Sequence, residues 1–184
     1  MKTVSWLASV VLALAIAGIA PSTSFAAIRP TTFWLYTRDS CVQGTTSSRV
    51  SVALKWRRSD GTVLATATYV TVADGYFSVC SPRAQRLRAY DVVRATVNGI
   101  RHRLVIPALR LKMDTANDVL YGRAPAGSVL RLSWNYGPEI PVVVRSDGRW
   151  SYAPLGVDIV VGTYAYARWK SRSGDTVTFN NIAR

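Results

Sequence analysis

The sequence predicts an all-β protein built as two small β-sandwiches in tandem. Three observations carry that expectation. The chain is rich in Val, Thr, Tyr, Trp and Ser and has no amphipathic helical stretch of useful length, a composition suited to strands. The alternating phrase VSVALKW at residues 50 to 56 returns as SVLRLSW at residues 128 to 134, seventy-eight positions later, and closes on tryptophan again. Turn signals punctuate the runs at Ser59-Asp60-Gly61, Asp74-Gly75, Asn98-Gly99 and Asp147-Gly148, where glycine tolerates positive φ and the preceding Asp or Asn caps the bend.

The first element is not part of either sandwich. MKTVSWLASVVLALAIAGIAPSTSFA carries one positive charge at Lys2, an apolar run from Val4 to Ala20, and a polar stretch closing on Ser24-Phe25-Ala26. That is the pattern of a secretory signal peptide with a small-x-small cleavage site, so residues 1 to 26 are expected to be removed. The apolar run approaches the length of a short membrane span, but the tail led by Pro21 favours cleavage. No cysteine follows closely enough for lipid attachment, and the closing TVTFNNIAR is not apolar. The expectation is a secreted or cell-surface chain of residues 27 to 184, with no span after cleavage. In an oxidising compartment Cys41 and Cys80 are expected to form one disulfide. Closing about 40 residues of chain contributes about 4 kcal/mol in the loop-entropy account.

The first sandwich is assigned to residues 27 to 107 and the second to residues 108 to 184, with the boundary near Pro107 where RLVI gives way to LRLKM. At an offset of 78, Phe33 and Leu35 fall on Leu111 and Met113, Gly44 on Gly122, Leu54 on Leu132 and Trp56 on Trp134. Beyond the next hairpin the offset becomes 73, and Asp74-Gly75-Tyr76-Phe77-Ser78 matches Asp147-Gly148-Arg149-Trp150-Ser151. Within each copy the strands alternate: Val50, Val52, Leu54 and Trp56 share one face, and Leu130, Leu132 and Trp134 share the matching one. Asn98-Gly99 predicts a two-residue hairpin pairing Val97 with Ile100 and Val93 with Leu104. About six or seven short strands in each copy suit a small β-sandwich.

The second copy reads LYGRAPAGSVLRLSW, then VRSDGRWSYAPL, then GTYAYARW. It resembles the tandem bacterial immunoglobulin-like modules of exported and surface proteins, with the shared pattern at Gly122, Ala124-Pro125-Ala126-Gly127 and Asp147-Gly148 followed by Trp150 and Tyr152. The first copy has Thr45-Thr46-Ser47-Ser48 in place of the Ala-Pro-Ala-Gly turn, and joins through the internal alignment alone. The resemblance implies an immunoglobulin-like fold in an extracellular module and no particular activity.

Catalytic chemistry finds little support. His102 is the only histidine and Glu139 the only glutamate, and no Gly-x-Ser-x-Gly elbow, nucleotide-phosphate loop or zinc spacing occurs. His102 falls opposite Ala95 as a partly buried structural residue. Asp114, Asn117 and Asp118 match no calcium-loop motif. Neither a catalytic residue, a metal nor a cofactor is expected.

Two features suggest binding. The chain is basic, formally +13, with residues 27 to 107 at +8 and residues 108 to 184 at +4. The hairpin sets Arg94 opposite Arg103 and Thr96 opposite Arg101 on an outward face, with Arg83, Arg86 and Arg88 in the preceding connection. Such charge is commonly only solvating, but like charges so close are also relieved by a phosphate, sulfate or carboxylate polymer. The second feature is aromatic residues on outward parity: Trp34 and Tyr36 in the first copy, Tyr164 and Tyr166 in the second. Outward rings stack on sugars or pack against a neighbouring domain, and the latter is commoner for Trp34 and Tyr36.

The expected function is a structural or adhesive, non-enzymatic module at the cell surface or outside it. The alternative is a carbohydrate- or polyanion-binding module. Expected partners are an anionic polymer, an envelope polysaccharide or a surface protein; the charge allows only non-specific contact with nucleic acid.

Overall fold

A computed structural model describes residues 31–82 and 86–184; the expected signal peptide and Arg83 lie outside them. The described residues form fourteen strands and no helix. In the first half these are β1 (Thr32–Tyr36), β2 (Cys41–Thr45), β3 (Ser51–Arg57), β4 (Val63–Val70), β5 (Tyr76–Cys80), β6 (Val92–Val97) and β7 (Ile100–Val105). In the second they are β8 (Arg110–Asp114), β9 (Val119–Arg123), β10 (Val129–Trp134), β11 (Ile140–Val143), β12 (Arg149–Tyr152), β13 (Tyr164–Lys170) and β14 (Thr176–Ile182).

Alternation of side chains decides which face of each strand is hidden. In β3, Val52, Leu54 and Trp56 are buried while Ser51 and Ala53 face water. In β10, Leu130 and Leu132 are buried against exposed Arg131, and Trp134 is half-buried. Ser133, on the other parity, is also buried, its hydroxyl donating to the Gly137 carbonyl at 2.8 Å. Trp56 and Trp150 lie in the core, at 0% and 2% exposure. Each such side chain contributes about 2 to 3 kcal/mol through burial.

The Asn98-Gly99 hairpin pairs as its spacing requires, Val97 with Ile100, Val93 with Leu104 and Ala95 with His102. Asn98 and Gly99 both have positive φ, at 49° and 77°, which matches the twist of the flanking strands. Cys41 stands directly opposite Cys80 on β2 and β5, and the two are joined as a disulfide.

The strands form three sheets. Strands β4-β3-β6-β7 make one, β12-β9-β8 a second, and β11-β10-β13-β14-β1-β2-β5 a seven-stranded third. Each half therefore splits in the same way, into a four-stranded group and a three-stranded group. Registers match as well. Leu54 pairs with Ala95 and Trp56 with Val93, just as Leu132 pairs with Ala167 and Trp134 with Ala165. Gly44 sits between Phe33 and Phe77, and Gly122 between Leu111 and Trp150.

What joins the halves is a parallel pairing of β1 with β14, Leu35 beside Val177 and Tyr36 beside Thr178. It makes the three-stranded group of the first half and the four-stranded group of the second one continuous sheet. Additional hydrogen bonds support the seam: the Phe33 N–H donates to Asp175 Oδ1 at 3.3 Å, and the Thr37 N–H to the Thr178 carbonyl at 3.1 Å.

The connection into β6 is held by one charge. Asp91 is 1% exposed, and its Oδ2 accepts from Arg58 Nη1 at 2.7 Å and from the Arg88 N–H at 2.8 Å. Asp91→Ala leaves the partly shielded Arg58 guanidinium with the Arg86 carbonyl but no carboxylate, and the Arg88 N–H without its acceptor, and is expected to lower stability by about 2 kcal/mol. Urea unfolding checks this, and a change below about 0.5 kcal/mol, the size of an ordinary surface substitution, would refute it.

Candidate functional site

The outward aromatic residues of both halves lie on one surface. Pairing of β1 with β14, and of β14 with β13, puts Trp34, Tyr36, Tyr164 and Tyr166 on the same face of the seven-stranded sheet. Trp34 stands beside Thr176 on one side and Gln43 on the other. Tyr36 lies in a cross-strand row that continues through Thr178 and Arg168 to Arg131. All four aromatic residues are half-buried. Thr176 and Thr178, at 5% and 4% exposure, form the floor between the β1 rings and the longer side chains Arg168 and Lys170 of β13. Strands β1 and β13 flank β14 and are about 10 Å apart, and their rings are staggered: Trp34 and Tyr36 stand level with Lys170 and Arg168, while Tyr166 and Tyr164 stand level with Asn180 and Ile182.

The structure adds a ring that strand parity did not single out. The turn after Trp134 holds Asn135 and Tyr136 at φ of 44° and 61°, the left-handed region that a tyrosine seldom occupies. Tyr136 is 87% exposed and stacks on Tyr164, with centroids 5.4 Å apart and ring planes 16° from parallel. Asn135 holds the turn in place, its N–H donating to the Tyr164 carbonyl and its Oδ1 accepting from the Tyr164 N–H. The only sequence signal was Asn-Tyr-Gly at the end of a strand, which reads as an ordinary turn.

Polar groups flank the rings. Glu139 accepts from the Tyr166 hydroxyl at 3.0 Å and pairs with Arg168 at 2.6 Å, and the Arg168 guanidinium lies 5.2 Å from the Tyr166 ring centre. Partial burial pushes the Tyr166 phenol above its ordinary range; the Ser133 hydroxyl opposes this and Glu139 adds to it. The glutamate is thus held by a salt bridge and a phenol. The histidine is held by packing, with the ring of His102 meeting that of Phe33 edge-on at 5.2 Å.

The arginines fall into three places. Lys55, Arg94 and Arg103 stand side by side across β3, β6 and β7, with Arg101 opposite Thr96 in the adjacent row. They line a shallow cavity of about 510 Å³, floored by Ala53, Ala95 and Thr96, with no carboxylate in its wall. Arg86 and Arg88 do not join them. They line a different groove, between the halves, where the Arg86 guanidinium covers the Phe179 ring at 4.8 Å. The third group, on β8, β9 and β12, is a row of Arg110, Arg123 and Arg149.

The aspartates of the turns are occupied by their own backbone. Asp60 accepts from the Thr62 N–H, Asp147 from the Arg149 N–H, and Asp114 from Asn117 Nδ2 and the Ala116 N–H. These bonds hold all three carboxyls below their ordinary range. Asp118 is turned away from Asp114, accepting from the Ile159 N–H at 2.7 Å. Among the described residues no three His, Cys, Asp or Glu side chains are grouped as metal ligands.

No family model matches the chain, and no curated protein matches it in sequence. Solved structures are similar in part. The BSP domain of a biofilm-associated protein shares 16% identity at a TM-score of 0.35, over 85% of this chain and 29% of that one. The tetra-tandem repeat from the extending region of a large adhesion protein shares 17% at 0.31, over 84% and 49%. A 1.5-MDa bacterial ice-binding adhesin, described for its host cell surface retention, shares 14% at 0.30, over 84% and 61%. This chain spans less than two thirds of each, and superpositions this loose leave function to be argued from the surfaces themselves.

Proposed function

We propose that the chain is an exported, non-enzymatic module of two tandem immunoglobulin-like sandwiches, residues 27 to 107 and 108 to 184, with a structural or adhesive role at the cell surface or outside the cell after loss of residues 1 to 26. The observation that carries this reading is the repetition of strand order and register in the two halves, together with the seam that locks them. Leu54 with Ala95 and Leu132 with Ala167 are the same pair at offsets of 78 and 72. Duplication accounts for that more simply than coincidence does.

The seam suits load. Strands β1 and β14 lie near opposite ends of the chain and run parallel, so a pull on the two flanks loads their hydrogen bonds together, in shear, rather than one at a time. Single-molecule extension with handles at residues 31 and 184 tests this. One unfolding event at high force, reached only after the seam shears, is expected. Separate low-force openings of each half would overturn the load-bearing role.

A second reading is favoured by the aromatic surface formed by Trp34, Tyr36 and the Tyr136-Tyr164-Tyr166 series on one face of the seven-stranded sheet. Partly exposed rings spread along one sheet face, with Arg168 and Lys170 beside them, suit stacking on the sugars of an extended glycan. On a glycan array, Trp34→Ala and Tyr164→Ala are each expected to reduce binding about tenfold, since ring stacking contributes about 1 to 1.5 kcal/mol. Unchanged signal in both variants would remove the carbohydrate reading.

A further inference from the structure

A basic surface lies on the outward face of the three-stranded sheet of the second half, built from residues that play no part in the aromatic surface. Three arginines occupy directly opposed positions across the sheet: Arg110 on β8 faces Arg123 on β9, which faces Arg149 on β12. All three are exposed. The next row on the same face is Lys112, Tyr121 and Ser151. Like charges in directly opposed positions repel, so this row weakens the sheet that bears it. Among the described residues only Asp147 offers relief, through long contacts of 3.5 Å to Arg145 and 3.9 Å to Arg149 that are open to water.

The row opens into a larger space. Arg110, Arg123, Arg149 and Arg145 line a cavity of about 350 Å³, and Arg110, Lys112 and Tyr121 also line the neighbouring groove of about 690 Å³ at the junction of the halves, where Arg86 and Arg88 stand. Among the described residues no Asp or Glu side chain lines either space. The result is a continuous cationic track over the edge strand β8.

We propose that this track binds a linear acidic polysaccharide, carrying carboxylate or sulfate groups, along the Arg149-Arg123-Arg110 row. A guanidinium presents a planar fork of donors that matches a carboxylate or sulfate in bidentate geometry. The strand spacing of about 4.8 Å sets these forks at intervals comparable to one sugar of an extended chain. Tyr121, at 39% exposure, offers a ring edge or face to a sugar beside them. A single-stranded nucleic acid is the poorer fit, because sites of that kind stack successive bases on several aromatic residues and only one is exposed here.

The test uses the full mature chain with oligogalacturonate and a sulfated glucan oligosaccharide as probes, and a neutral glucan and a single-stranded oligonucleotide as controls. Binding by calorimetry at low salt is expected for one or both acidic probes, and which of them binds separates carboxylate from sulfate. The Arg110→Gln, Arg123→Gln, Arg149→Gln variant is expected to lose at least about tenfold in affinity, because each lost charge-assisted hydrogen bond contributes. The Arg38→Gln, Arg49→Gln, Arg172→Gln variant removes the same formal charge from exposed positions outside both arginine clusters and is expected to stay within about twofold. Equal losses in both would mean diffuse charge attraction and overturn the site, as would tighter binding of the oligonucleotide than of either oligosaccharide, or no binding at all. Arg123→Glu guards against a folding artefact: it is expected to raise the melting temperature by pairing with both neighbours while abolishing binding. A variant that melts higher and still binds would refute the proposal. Trp34→Ala is expected to leave this binding unchanged, so failure here is distinguishable from failure of the carbohydrate reading of the aromatic surface.

Discussion

Gly122→Ala is expected to destabilise the chain by about 3 kcal/mol, and Gly44→Ala by a similar amount, although both glycines sit in strands where alanine is ordinarily tolerated. The reason is crowding. A methyl group at residue 122 collides with the Arg110 carbonyl oxygen, comes within 2.7 Å of the carbonyl carbon, and lies 3.1 Å from the Trp150 ring. At residue 44 it meets the Thr32 carbonyl at 2.5 Å and the Phe77 ring at 2.6 Å. In both halves the obstacle includes the backbone of the neighbouring strand, which cannot rotate aside as a flexible side chain would. Gly99→Ala supplies the contrast, since nothing lies within 4 Å of it and only its positive φ of 77° resists. Urea unfolding of the three variants checks the order, and losses below about 1 kcal/mol at both Gly44 and Gly122 would contradict the packing described here.

Val177→Pro is expected to be as damaging, for a different reason. Val177 is fully buried on β14 between Trp169 of β13 and Leu35 of β1, at the middle of the seven-stranded sheet. Proline there removes a ladder donor and sets a ring against a neighbouring strand, at a cost of about 3 kcal/mol or more. The consequence specific to this architecture is seen after cutting the chain. With a protease site inserted between Pro107 and Leu109, the cleaved wild type is expected to elute as one particle, because β1 and β14 still pair. The cleaved Val177→Pro protein is expected to separate into two. Separation of the cleaved wild type would show that the covalent link, and not the seam, holds the halves together.

Much of the fold could be read from the chain because its strands advertise themselves locally. Alternation assigned Val52, Leu54 and Trp56 to the hidden face, and the Asn98-Gly99 turn dictated every pair in the β6-β7 hairpin, since two loop residues leave no freedom of register. The outward parity of Trp34, Tyr36, Tyr164 and Tyr166 was legible for the same reason. That they share a face was not. Their union depends on a parallel pairing between residues about 140 positions apart, made by backbone groups that every residue carries, so no side-chain pattern announces it.

Charge shows the same division. Composition concentrates the excess of arginine in the first half, yet the three-arginine row lies in the second, where the net charge is lower. Arg110, Arg123 and Arg149 are scattered along the sequence and become neighbours only when β8, β9 and β12 settle into register. Arg86 and Arg88, close in sequence to Arg94, Arg101 and Arg103, were carried instead to the junction. By itself the chain determined its all-β character, the buried faces of its strands and the disulfide partners, all consequences of short-range periodicity and of residue chemistry. Tertiary structure decided which faces adjoin, and with them both candidate binding surfaces, because cross-strand and cross-half neighbours are chosen by long-range pairing that local sequence does not encode.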